Sequence, residues 1–164
     1  MSKPILLVVD DDESVLKAVV RDLRGRYRKD YRISSTTSAN EALEAVGELK
    51  KKNATVALLL SDQRMPEMTG TQFITQAKAH FPEAKRVLLT AYSDIDAAID
   101  AINTAGLDYY LMKPWDPPEA KLFPVLDDLL SAWQMTHKPG YEGLSLIGLG
   151  YSPEAYQLRD FIAA

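Results

Sequence analysis

Leu58-Leu59-Leu60-Ser61-Asp62-Gln63-Arg64-Met65-Pro66 joins an apolar run, long enough for a buried strand, to an aspartate and then to a proline. The proline forbids the strand to continue, so the carboxylate of Asp62 is left at its mouth. In open α/β sheets the mouths of the strands are where ligands bind. Ile5 to Val9 running into Asp10-Asp11-Asp12 has the same form, as do Val87 to Leu89 running into Thr90 and Tyr109 to Met112 running into Lys113-Pro114. If these four strands lie parallel, one rim gathers acids, a hydroxyl and an ammonium. That inventory binds a divalent cation and a phosphoryl group together.

Helix-like patterns separate the strands. Asp12 offers a cap to a first helix in which Val15, Leu16, Val19, Val20 and Leu23 recur at helical spacing until Gly25. Tyr31 to Thr36 reads as a second strand near an edge. Ser38-Ala39-Asn40-Glu41 has the spacing of a reciprocal capping box and opens a second helix through Ala42, Val46 and Leu49. The third strand, Val56 to Asp62, is followed by a loop rich in proline and glycine and by a third helix bearing Phe73, Ile74 and Ala77. Arg86 to Thr90 is the fourth strand, and Ser93-Asp94-Ile95-Asp96 caps a fourth helix that ends at Gly106. Asp108 to Met112 is the fifth strand. A fifth helix starts at Pro117-Pro118-Glu119 and carries Leu122, Leu126, Leu129, Leu130 and Trp133, with Pro124 expected to kink or split it. Five βα units with right-handed crossovers make an α/β fold with a doubly wound parallel sheet. It is expected to occupy residues 1–136, followed by a linker at 137–143 and a strand-helix extension at 144–164. That extension either docks on the sheet domain or another copy, or opens a further α/β domain.

At 164 residues, with 46% hydrophobic and 26% charged residues, the chain can bury a full core and is not a disordered protein. Its net charge of -4 argues against a general nucleic-acid surface. No apolar run approaches a membrane span, and Met1-Ser2-Lys3-Pro4 leads into a strand without a signal-peptide region, so a cytoplasmic location is expected. The lack of cysteine excludes disulfides, thiol catalysis and cysteine zinc sites, and two histidines are too few for a histidine-built metal site.

Placing three aspartates within about 4 Å of one another costs several kcal/mol even at an effective dielectric of about 20, so something positive must sit among them. Magnesium suits such a site, because it accepts a few carboxylates, a main-chain carbonyl and waters, and shares a phosphoryl oxygen. One carboxylate can then act as a nucleophile toward phosphorus while the metal and a lysine neutralise the charge. Taken singly, Asp10 to Glu13 also reads as a charged helix cap and Tyr110 as a packed strand aromatic.

The ordered set Val-Val-Asp-Asp, Ser-Asp-x-x-Met-Pro-x-Met-x-Gly, Leu-Leu-Thr-Ala and Lys-Pro resembles the CheY-like receiver domain of two-component response regulators, from about Lys3 to Trp133. The resemblance implies a flavodoxin-like sheet of order 2-1-3-4-5. It implies that Asp62 is the phosphoacceptor, and that Asp11, Asp62 and the main-chain carbonyl of Arg64 hold magnesium, with Asp10 acting through water. It further implies that Thr90 and Lys113 meet the phosphoryl group, that Tyr110 is a rotating switch, and that the peptide before Pro114 is cis. Arg64, Ala91 and Tyr92 would flank the phosphoryl group. The donor would be a sensor histidine kinase or phosphotransfer protein. The output would be a downstream domain or effector, or a homodimer, reached through the face of the fourth helix, fifth strand and fifth helix. Direct nucleic-acid and membrane contacts are not expected.

A narrower likeness is to receivers fused to thioredoxin-disulfide-reductase-like flavoproteins. It rests on Gly106-Leu107-Asp108-Tyr109-Tyr110, Lys113-Pro114-Trp115-Asp116-Pro117-Pro118 and the tail around Tyr151-Ser152-Pro153. No flavin or nicotinamide site is expected here, because Gly148-Leu149-Gly150 lacks the third glycine of a dinucleotide fingerprint. Two other functions stay open beside the phosphorelay switch. One is a magnesium-dependent aspartyl phosphohydrolase; the other is a receiver-like interaction module that takes no phosphate. The switch would not be an enzyme beyond its own phosphoryl transfer and hydrolysis.

Overall fold

The computed structural model describes residues 3–113, 115 and 117–137. Strands β1 (Ile5–Val9), β2 (Arg32–Thr36), β3 (Val56–Asp62), β4 (Lys85–Thr90) and β5 (Tyr109–Met112) form one parallel sheet in the order β2-β1-β3-β4-β5. The helices are α1 (Glu13–Tyr27), α2 (Ala39–Lys51), α3 (Gly70–Ala77), α4 (Ile95–Thr104), α5 (Pro118–Lys121) and α6 (Phe123–His137). The sheet belongs to a compact unit spanning Met1–Leu130, and the end of α6 from Ser131 falls in a second unit. Among the described residues no helix is long and apolar enough to cross a membrane.

Both β1 and β3 are buried at every position, which is why they read as unbroken aliphatic runs. The chain steps one way from β1 to β2 and the other way from β3 to β5, so right-handed crossovers put α1 on the opposite face from α2, α3 and α4. On the latter face Leu7, Leu59 and Leu88 share a core with Val46, Phe73 and Ala101. Alternate positions such as Leu6, Val8 and Leu60 point the other way and are buried too, on the face where α1 turns Leu16, Val19 and Leu23 inward. Tyr27 joins α1 to α6: its ring meets Phe123 edge-on at 6.0 Å, and its hydroxyl donates to Asp127 at 2.6 Å. Reversal of the winding between β1 and β3 leaves a crevice at their carboxyl ends, and the acids stand there.

Local patterns give way where a distant partner competes. At the start of α2, Ser38 accepts from the Glu41 amide at 3.2 Å, but the Glu41 carboxylate accepts from Thr36 instead of returning to the cap. The Ser38 amide donates to the Thr36 hydroxyl oxygen at 3.1 Å, and Glu67, from the loop after β3, accepts from the amides of Ala39 (2.8 Å) and Asn40 (3.4 Å). A reciprocal box does form on α3, between Thr69 and Gln72. Asp94 precedes α4 without capping it, because its carboxylate is bound by Arg64. The first helix continues through Gly25 to Tyr27. The fifth helix is split at Leu122 into α5 and α6, which places Pro124 in the first turn of α6, where its missing amide costs least. The peptide before Pro114, and the linker and extension from residue 138 onward, lie outside the described residues.

Gly70 brings α3 against the end of β3. A Cβ there would lie 2.2 Å from the Asp62 carbonyl oxygen and 2.8 Å from Leu88 Cδ1. Gly70→Ala should therefore cost ~2 kcal/mol or more in urea unfolding. By contrast Gly47→Ala, in α2 with open space around it, should gain ~0.5–1 kcal/mol. Equal stability of the two variants would show that no such crowding exists.

Candidate functional site

Register brings the first two acids together. Val9 of β1 lies opposite Ser61 of β3, so Asp10 and Asp62, the next residue on each strand, stand side by side at the crevice. Both are buried, while Asp11 is exposed one step further out. One carboxylate oxygen from each of Asp10, Asp11 and Asp62 can be chosen so that all lie within 4.8 Å of one another. Asp12 is turned away from this group, accepting from the amides of Ser14 (2.9 Å) and Val15 (3.3 Å) as the cap of α1. Asp10 Oδ1 is fixed by the Asp12 amide at 2.9 Å.

Lys113 follows β5 and reaches back into the acids. Its Nζ donates to Asp62 Oδ1 at 2.7 Å and lies 3.1 Å from Asp10 Oδ2. The second contact is a charge contact out of line for a hydrogen bond, and Asp10 Oδ2 is buried with no hydrogen-bond partner among the described residues. The Lys113 amide donates to the Thr90 carbonyl at 2.9 Å, which ties the ends of β5 and β4. Thr90 is fully buried, and its hydroxyl donates to its own chain at the Ala91 carbonyl, 3.1 Å away.

Burial, followed by the hydrogen bond from Lys113 that opposes it and the charge of Asp10 that reinforces it, leaves the Asp62 carboxyl pushed up to about 6. Asp10 is raised as well, by burial above all, against the Asp12 amide and Lys113. Burial works against the Lys113 ammonium, but its bond to Asp62 and the charges of both buried acids hold it above the ordinary lysine value. One ammonium does not balance three carboxylates. The buried Asp10 oxygen, met only by the charge of Lys113 among the described residues, and the all-oxygen donor set fit a small, hard divalent cation such as magnesium.

The remaining expected residues fall near the crevice in different ways. Arg64 lies in the loop after Asp62 and is held in an ion pair, with Nε 3.0 and 2.9 Å from the two Asp94 oxygens. It borders, with Asp11, Gln63 and Thr69, a cleft of about 560 Å³ beside the acids. Ala91 is exposed next to Thr90, and Tyr92 begins a 3-10 turn; its side chain lies outside the described residues. Tyr110 packs against the α2–α4 core and stacks on Tyr109 at 6.3 Å. Sequence reasoning missed Asp94 as the partner of Arg64, Glu67 as the cap of α2, and the bond from Trp115 Nε1 to Asp22 at 2.8 Å. Each pairs residues far apart in the chain, and no local pattern marks it.

Comparison with known proteins bears on the family and the fold. The response regulator receiver domain family matches residues 6–122. The chain is 36% identical over 141 residues to the DNA-binding transcriptional regulator NtrC of Klebsiella pneumoniae, covering 85% of this chain and 27% of that protein. It is 34% identical over 112 residues to the hydrogenase transcriptional regulatory protein HoxA of Cupriavidus necator, covering 68% of this chain and 21% of that protein. It therefore spans roughly a quarter of the length of these curated relatives. The solved receiver domain of nitrogen regulatory protein C in its apo form superposes with a TM-score of 0.64 at 36% identity, covering 82% of this chain and 99% of that one.

The raised carboxyls fix the sign of a pH dependence. In metal-free protein the folded state keeps protons that the unfolded chain releases between about pH 4 and pH 6, so stability falls as pH rises through that window. The Tm of metal-free protein should rise as pH is lowered from about 7 to about 5, and Asp62→Asn should flatten the slope. A Tm that falls steadily over that range in the parent would contradict the assignment.

Proposed function

Because this chain belongs to the response regulator receiver domain family, we propose that its place in phosphorelay signalling is to accept a phosphoryl group on Asp62. The observation that carries the proposal is the ammonium of Lys113, 2.7 Å from Asp62 Oδ1 at the rim where three acids meet. The free Asp62 oxygen would attack the phosphorus of a phosphohistidine. The bond from phosphorus to the imidazole nitrogen would break with its electron pair leaving on the imidazole, and an aspartyl phosphate would form. Lys113 would transfer its pairing from the carboxylate to a phosphoryl oxygen. The Thr90 hydroxyl, now spent on the neighbouring Ala91 carbonyl, would turn to donate to another.

Asp11, Asp62 and the main-chain carbonyl of Arg64 would hold magnesium, with Asp10 acting through water; when bound, magnesium supplies positive charge against the phosphoryl oxygens. Movement of Thr90 would vacate space for Tyr110, which already packs on the α4 side of the sheet. The face of α4, β5 and α6 would then change its preference for a partner. Ile99, Ile102 and Tyr109 are exposed on α4 and β5, at 48%, 45% and 46%. We assign to this face an output domain or effector protein, a thioredoxin-reductase-like one among the candidates, or a second copy. Upstream the partner would be a sensor histidine kinase or phosphotransfer protein, in the cytoplasm. Arg64, Ala91 and Tyr92 would set how readily water reaches the phosphoryl group.

Incubation with a small acyl phosphate and magnesium, followed by intact mass measurement, should give one phosphoryl adduct per chain. Asp62→Asn should abolish the adduct, and Lys113→Ala should slow its formation by ~10-fold or more. Arg64→Ala should change the adduct's half-life. Turnover of the donor without a stable adduct would favour an aspartyl phosphohydrolase, and no adduct at all would favour an interaction module that takes no phosphate.

A further inference from the structure

The outer side of α1 is unlike the rest of this acidic chain. Lys17, Arg21, Arg24 and Arg28 follow one another at spacings of four, three and four, which places them on one helix face. They border a groove of about 660 Å³ between α1 and β2. Its floor is apolar, made by Leu16 and Val20, and the carbon stems of the cations extend that surface upward. The groove exists because of strand geometry: Ile33 is buried, whereas Ser35, two residues on along the same face of β2, is too short to fill the space and stays exposed. A neighbouring hollow shares Arg24 and Arg28 and adds Lys3 and Arg32. Among the described residues Glu13 is the one carboxylate bordering either space.

Few of these cations are held in ion pairs. Lys17, Arg24, Arg28 and Arg32 make no ion pair among the described residues, and Arg21 reaches its neighbour Asp22 at 3.4 Å while remaining largely in water. Like charges three and four apart on a helix destabilise it. Among the described residues β2 is the last strand on its side of the sheet, and its outer backbone groups have no strand partner there. Net charge of -4 makes a concentration of unpaired cations on one face a feature that needs a counterpart.

We propose that the groove between α1 and β2 receives an extended acidic segment of a partner protein in which Asp or Glu alternates with Leu or Phe. Its carboxylates pair with Lys17, Arg21, Arg24 and Arg28, its apolar side chains rest on Leu16 and Val20, and its backbone adds to the open edge of β2. A bare polyanion would satisfy the charges but neither the apolar floor nor the strand edge. The site is remote in kind from the acidic rim and does not depend on phosphoryl transfer.

The test uses the full chain and a short fluorescein-labelled peptide alternating Glu with Leu and Phe. Polyglutamate, a single-stranded oligonucleotide and phosphatidylglycerol vesicles serve as comparisons. Saturable binding by anisotropy is expected, weakening as salt rises, with amide shifts concentrated at Ser35, Thr37 and α1. Arg24→Glu with Arg28→Glu should weaken binding ~10-fold or more. Gly25→Leu provides a separate handle: a Cβ there meets nothing within 4 Å, so leucine should fill the groove while favouring the helix. It should also weaken binding ~10-fold, with an unfolding midpoint no lower than the parent's. Shifts centred elsewhere, undiminished binding by Gly25→Leu, or comparison polyanions that bind as tightly as the peptide would each overturn the proposal.

Discussion

Two carboxylates removed from water at adjacent strand ends, held by one ammonium, are the constraint around which the rest of the molecule is arranged. Asp10 and Asp62 can stand side by side only because β1 and β3 are neighbours in parallel register, and Lys113 can reach them only because β5 closes the same rim. Each acid is unfavourable alone: burial above all raises both, and a neighbouring carboxylate adds to it, Asp10 acting on Asp62 and Asp11 on Asp10. The fold tolerates the group because the strands beneath it are buried along their whole length and cannot shift to relieve it. Stability is given up at the rim, and a site able to take additional positive charge results.

The loop after β3 is where that rim meets the helices. Gly70 passes so close to the Asp62 carbonyl that only a residue without Cβ fits, and its amide donates to Gln63 at 2.9 Å. Further along, Glu67 caps α2 and Arg64 pairs with Asp94 ahead of α4. The segment that leaves Asp62 is thus fastened to α3 by packing and to α2 and α4 by charge.

Much of this could be read from the chain before any coordinates. The parallel strands were legible because burial on both faces turns a strand into an unbroken aliphatic run, and the site was legible because Asp10, Asp62, Thr90 and Lys113 each stand where such a run stops. The split of the last helix followed from the missing amide of Pro124. What stayed hidden was decided by competition across the sheet. Ser38 and Glu41 have the spacing of a capping box, yet Glu67 offers the Ala39 amide a bond of 2.8 Å and Thr36 occupies Glu41. Asp94 looks like a helix cap in sequence, and the guanidinium that claims it is thirty residues earlier. Gly70 reads as a loop residue, because nothing in its neighbours announces a carbonyl 2.2 Å from where its Cβ would be.

The energetic ranking of these contacts bears on how the proposed switch could work. The apolar layers under the acids are fully buried and resist deformation, so a new phosphoryl group cannot be accommodated by moving strands. Two polar groups at the rim, Thr90 and Arg64, are attached weakly by comparison. Thr90 donates to a carbonyl of its own chain, a bond of ~1 kcal/mol that an oxyanion can replace with a stronger one. Arg64 holds Asp94 at the surface, where water and salt already weaken the pair. Phosphorylation adds roughly 1.5 to 2 negative charges. On the proposed reading, that charge, placed among stiff strands and loosely held polar groups, would be answered by the latter, and the answer would pass along β4 and the turn into α4, where the exposed isoleucines lie.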